Sequence, residues 1–138
     1  MILADTSGVL SALDRSQMGH EAARHVVETE DVLILSPFVL AELDYLLATR
    51  ISVAASLELL RDVRDGAYEL ASFSSEEVEE AAMLVERYER LGIGLADASI
   101  VVLAGRYATE RVLTFDERHF RALRTKSGGV FTLAPADG

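Results

Sequence analysis

The feature that most restricts the fold of this chain is an alternation. Short runs rich in aliphatic and β-branched residues are separated by longer stretches whose apolar residues recur at helical spacing. That pattern specifies a parallel sheet covered by helices on both faces. Strands are expected at residues 2–4, 32–35 (VLIL), 67–71 (AYELA), 111–114 (RVLT) and 130–133 (VFTL). Helices are expected at 7–14, at 19–29, at 38–48 after Pro37, at 53–65 behind a Ser52 cap, at Leu95–Tyr107 and at Glu117–Leu123. The run SSEEVEEAAMLVERYERLG adds a helix with a hydroxyl cap, acids in its first turn, arginines in its last and a glycine after it.

At 138 residues, half of them apolar, the chain suits one domain with a substantial core. That domain is expected to cover residues 1–134, with 135–138 as a short, loose tail. No apolar run reaches the ~18 residues that a membrane span needs. The start lacks the basic stretch of a signal peptide, so the chain is expected to begin as written. Cysteine is absent, which removes disulfides and thiolate-bound zinc and fits a cytoplasmic location. A formal net charge of -10 argues against nonspecific polyanion binding.

Four carboxylates interrupt apolar segments where a solvated helix face does not account for them. Asp5 breaks MILADTSGVL at the end of the first strand, and Asp116 follows the fourth in VLTFDERHF. Glu42 lies within PFVLAELDYLL and Asp97 within GIGLADASIVVLAG. Taken singly, Asp5, Asp97 and Asp116 have a competing reading as helix caps, and Glu42 as a surface residue. Taken together they have a shared geometry. Open parallel sheets bind ligands beyond the carboxyl ends of their strands, where strand order reverses, and strands 1 and 4 should flank that point. Four converging carboxylates repel, and the remedies are proton uptake, arginine pairing or a divalent metal. Only Arg50 lies near Glu42 in sequence, and the first lysine is Lys126. All-oxygen ligation suits Mg²⁺ or Mn²⁺, which in turn suits attack of water on phosphorus.

The segments MILADTSGVLSALD, SPFVLAELDYLL and GLADASIVVLAGRYATERVLTFDERHF occur in the order and approximate spacing of a PIN domain, and the chain closely resembles the VapC toxins of type II toxin-antitoxin systems. The resemblance implies a three-layer α/β/α PIN-like domain around a mainly parallel five-stranded sheet. It implies a Mg²⁺- or Mn²⁺-dependent ribonuclease in which Asp5 and Asp97 are the central metal ligands and Asp116 and Glu42 complete the site. Thr114 matches the family's T-x-D pattern, and Thr6 and Ser7 its hydroxyl-rich start; these are candidate hydrogen-bond donors, with strand-end or capping roles as the alternative. The resemblance also implies a homodimer, a VapB-type antitoxin and an RNA substrate.

Residues 105–126 carry six bases against three acids, so the acidity lies elsewhere in the chain. Arg118, Arg121 and Arg124, beside Asp116, are candidates for holding the RNA backbone; the competing reading pairs them with acids of neighbouring helices. His20, His25 and His119 lack ligand spacing to a carboxylate motif and are expected on solvated helix faces. Among Phe38, Leu40, Tyr45, Leu46, Ile51, Leu57 and Leu60, some are expected to contact a partner and others the core. A receiver-type signalling domain is disfavoured, because AYELASF ends without a phosphoacceptor aspartate and Lys126 precedes the last strand. A catalytically silent PIN-like module that binds RNA or protein is disfavoured by the intact quartet.

Overall fold

The computed structural model describes all 138 residues. Five strands, β1 (Ile2–Ala4), β2 (Leu33–Leu35), β3 (Glu69–Leu70), β4 (Arg111–Leu113) and β5 (Thr132–Ala134), form one parallel sheet in the order β3-β2-β1-β4-β5. From β1 the chain builds outward to β2 and β3, then returns to the other side of β1 for β4 and β5. Strand order therefore reverses between β1 and β4, as the two strand-end aspartates predict. A receiver domain would have the order 2-1-3-4-5, so the topology itself removes that reading.

Seven helices connect the strands: α1 (Thr6–Leu13), α2 (His20–Thr29), α3 (Pro37–Arg50), α4 (Val53–Arg64), α5 (Ser75–Arg87), α6 (Leu95–Tyr107) and α7 (Glu117–Ala122). The central strands are buried on both faces, which is why IL, LIL and VL read as unbroken apolar runs. From Ala98 to Ala104 every residue of α6 is buried, so this helix is part of the core over its whole circumference there. Each fully buried leucine or isoleucine contributes roughly 1.5 to 3 kcal/mol. Leu3, Ile34, Leu35, Ile100, Leu103 and Leu113 are among the side chains so buried.

Differences from the expected boundaries have local causes. Val130 makes an isolated antiparallel bridge with Arg124, and regular pairing with β4 begins only at Thr132 opposite Arg111. The fifth strand accordingly starts two residues later, and ends one later, than its apolar pattern suggests. β3 is only two residues long and lies at a sheet edge, a common way to limit pairing with other chains. At the start of α5 the Ser74–Glu77 capping box is complete, and Glu77 also pairs with Arg106 of α6. That helix closes at Tyr88 rather than at Gly92, whose positive φ of 77° serves the turn that follows. The closing residues do not hang free: the Asp137 carboxylate takes a bidentate contact from Arg121 and the backbone N–H of Leu133.

The apolar stretch from 38 to 60 divides between core and surface. Val39, Leu43, Leu47 and Leu59 are buried, and Phe38, Leu40 and Leu46 pack partly against them. Phe38 also meets Phe73 edge to face. Tyr45, Ile51, Val53, Leu57 and Leu60 remain exposed along α3 and α4, leaving an apolar surface unpartnered within this chain.

Candidate functional site

The site begins with β1, whose buried residues carry Asp5 to the open edge of the sheet, where its side chain is 3% exposed. Asp5 occupies the N-cap position of α1, yet its carboxylate caps nothing. One oxygen, Oδ2, instead accepts from the Thr114 hydroxyl at 2.6 Å and the Ser7 hydroxyl at 2.9 Å. Those hydroxyls are themselves bound: Ser7 Oγ accepts the Phe115 N–H, and Thr114 Oγ1 accepts the Asp116 N–H. The other oxygen, Oδ1, has no side-chain partner.

Gly8 explains how α1 comes close enough for this arrangement. A Cβ there would lie 2.3 Å from the carbonyl oxygen of Leu113, so only glycine lets the helix rest on the end of β4. Ser7 is thereby brought to within 3.1 Å of Thr114.

The other acids arrive from separate elements. Asp97 is the third residue of α6, behind a Gly94 N-cap, so it is not itself a cap. Asp116 does cap α7, accepting the His119 N–H on Oδ1, and its second oxygen remains available. Capping and a role in the site are compatible for this residue. Glu42 projects from α3 as an exposed side chain whose Oε1 accepts from Thr6 Oγ1 at 2.8 Å. Asp5, Glu42, Asp97 and Asp116 line one cavity of about 350 Å³, together with Thr6, Ser7 and Arg50. Arg50 makes no salt bridge there. Buried Ser36 and Ser99, joined at 2.7 Å, tie the N-cap of α3 to the second turn of α6.

The electrostatics are those of a site whose acids outnumber its bases. Burial pushes the Asp5 carboxyl up to about 6, and the charge of Asp97 adds to the rise; the donors Thr114, Ser7 and the Thr6 N–H act against it. Asp97 is raised as well, first by burial and further by Asp116 and Glu42, against the opposing influence of His119. Asp97, Asp116 and His119 bring ligand atoms within 4.8 Å of one another, with Asp5 and Glu42 in the same cavity, a donor set that fits a divalent cation, which would favour the ionised form of Asp5 and Asp97.

The four acids expected from the sequence are brought together, as are Thr6, Ser7 and Thr114. The arginines behave differently. Arg121 is engaged by Glu117 and Asp137, and Arg124 donates to the carbonyls of Arg121, Ala122 and Leu123. Of the three, only Arg118 is exposed without such a partner. His119 departs most from expectation. Instead of a solvated face it occupies the site, with Nδ1 2.8 Å from Asp116 Oδ2 and 3.3 Å from Asp97 Oδ2. The available signal was positional: His119 lies three residues after the Asp116 cap, the spacing at which a first-turn side chain faces its cap residue.

The model of the PIN domain family matches residues 2–126. The chain belongs to the PIN-domain family. Within it, the chain is 47% identical over 135 residues to Ribonuclease VapC26 of Mycobacterium tuberculosis, covering 97% of this chain and 100% of that one, which places it among the VapC proteins. The PIN fold is seen again in the crystal structure of M. tuberculosis VapC20, a sarcin-ricin loop cleaving toxin, with a TM-score of 0.76 at 19% identity, covering 84% of this chain and 90% of VapC20. The VapBC2 complex of Rickettsia felis, bound to a DNA fragment from its promoter, has a chain matching at TM-score 0.66 and 19% identity, covering 96% of this chain and 98% of its own. No helix of this PIN domain is long and apolar enough to cross a membrane.

Proposed function

We propose that this VapC-type PIN domain is the ribonuclease toxin of a type II toxin-antitoxin pair, cutting RNA phosphodiester bonds with the help of Mg²⁺ or Mn²⁺. The observation that carries the reading is the delivery of Asp5, Glu42, Asp97 and Asp116 from four different elements into one cavity at the strand-order reversal. Asp5 and Asp97 would hold the ion at the centre, with Asp116 and Glu42 completing the set. Bound there, the cation would supply water activation and stabilisation of charge at phosphorus.

The chain's own residues divide the remaining work. Ser7 and Thr114 occupy Asp5 Oδ2 and so present Oδ1 to the cavity. Thr6 holds the carboxylate of Glu42, whose side chain is otherwise exposed. Arg50, in the cavity wall, and exposed Arg118 are positioned to receive phosphate oxygens of the RNA, because neither is engaged by a protein carboxylate. The exposed apolar side chains of α3 and α4 suit a homodimer contact or a VapB-type antitoxin. A toxin of this kind acts in the cytoplasm, where its RNA lies.

Incubation of the purified chain with cellular RNA tests this directly. Cleavage should require Mg²⁺ or Mn²⁺, stop on chelation, and disappear in Asp5→Asn and Asp97→Asn proteins that retain the fold. Undiminished cleavage by both variants would remove the assignment, and RNA binding without any cleavage by the wild type would make the domain a silent module.

A further inference from the structure

His119 Nδ1 is the one buried side-chain polar atom in the protein that makes no hydrogen bond. It nevertheless lies 2.8 Å from Asp116 Oδ2 and 3.3 Å from Asp97 Oδ2, and the three side chains form a group whose donor atoms all fall within 4.8 Å of one another. Proximity without a hydrogen bond is the informative point, since neither oxygen stands where an Nδ1–H would aim. Cis ligands of an octahedral ion with bonds near 2.1 Å are ~3 Å apart and stand ~45° off each other's bond to the metal. Oxygens so placed make short contacts with the nitrogen but poor hydrogen bonds to it. The ring is 17% exposed, so Nε2 can carry the proton and be hydrated, which would leave the Nδ1 lone pair free for a cation.

We infer that His119 Nδ1 is a direct ligand of the ion alongside Asp97 and Asp116, and that this nitrogen makes the site selective for Mn²⁺ over Mg²⁺. The inference rests on the metal-dependent reading above and adds to it the identity of the ion. Mg²⁺ takes oxygen donors and retains its waters, whereas first-row transition ions accept imidazole readily. The neighbouring fold supports the role. The His119 backbone N–H is fixed on Asp116 Oδ1, so the turn that caps α7 also sets the ring beside Oδ2.

The test uses the full chain, stripped of metal with a chelator and reloaded with Mn²⁺ alone. Pulsed electron paramagnetic resonance should show ¹⁴N modulation from a coordinated imidazole. In His119→Asn, Mn²⁺ should still bind through the carboxylates but without that modulation, and its preference over Mg²⁺ should fall by about tenfold. Bound Mn²⁺ with no nitrogen coupling in the wild type, or coupling that survives in His119→Asn, overturns the inference while leaving the carboxylate site intact. Should the variant fail to fold, competition in the wild type decides: Mg²⁺ displacing Mn²⁺ at equal concentration also overturns it. Failure of the wild type to bind Mn²⁺ at all overturns the underlying metal reading and this inference with it.

Discussion

Thr114 donates its hydroxyl to Asp5 Oδ2 at 2.6 Å, joining two residues 109 positions apart in the chain. The same oxygen atom, Thr114 Oγ1, accepts the Asp116 N–H. One buried hydroxyl thus orients a central carboxylate and fixes the turn that presents another. Thr114→Val should retain shape, remove both interactions and cost about 1 to 3 kcal/mol in denaturant unfolding, because the Asp116 N–H is left without its acceptor. Ribonuclease activity should fall with it, and Thr114→Ser should restore most of both.

Asp5 should make the metal-free protein less stable at neutral pH than in mild acid, as far as this residue is concerned. Its folded-state pKa of about 6 lies above the ordinary 3.8, so the folded chain holds a proton that the unfolded chain has released between those values. Stability from this group is therefore lost as pH rises through that window, by at most ~3 kcal/mol. Asn can still accept from Ser7 and Thr114 without the buried charge. Asp5→Asn should accordingly be more stable than wild type at pH 8 in chelator, with the advantage gone near pH 4. Denaturant midpoints at the two pH values measure this, and equal differences at both would contradict it.

Divalent metal should offset that difference. At one hundred times its dissociation constant, an ion bound only by the folded state adds ~2.7 kcal/mol. Thermal unfolding at pH 8 should rise with added Mn²⁺ or Mg²⁺ for the wild type and remain nearly flat for Asp5→Asn and Asp97→Asn.

Arginines near the site should separate by their pairing. Arg50→Ala should raise KM for RNA by roughly tenfold and lower the salt slope of binding by about one phosphate contact, with a smaller effect on kcat. Arg118→Ala should act in the same direction. Arg121→Ala should leave RNA affinity unchanged, since that guanidinium is already held by Glu117 and Asp137. Filter binding across a salt series distinguishes the groups.

Gly8→Ala should destabilise by about 1 to 3 kcal/mol through overpacking against the Leu113 carbonyl. Because the displaced helix carries Ser7, activity per folded molecule should fall as well. A variant with full activity would mean that α1 can shift without disturbing Asp5.

The parallel sheet, the reversal between the first and fourth strands and the four acids that share one cavity were legible along the chain, because each is written in local terms. Burial on both faces forces continuous apolar strands, helices need periodic apolar faces, and a carboxylate that interrupts either stands out against that background. Two caps were legible for the same reason, Ser52 and the hydroxyl that opens α5. Pairings between distant residues were not written locally. Arg121 could have faced solvent or Asp137, and only the path of the last residues brings that carboxylate to it. His119 looked like a surface residue along the chain because its partner Asp97 lies 22 positions earlier, at the start of α6. The tertiary structure decided that partnership by setting the first turns of α6 and α7 side by side at one edge of the sheet, where two carboxylates and an imidazole meet at contact distance.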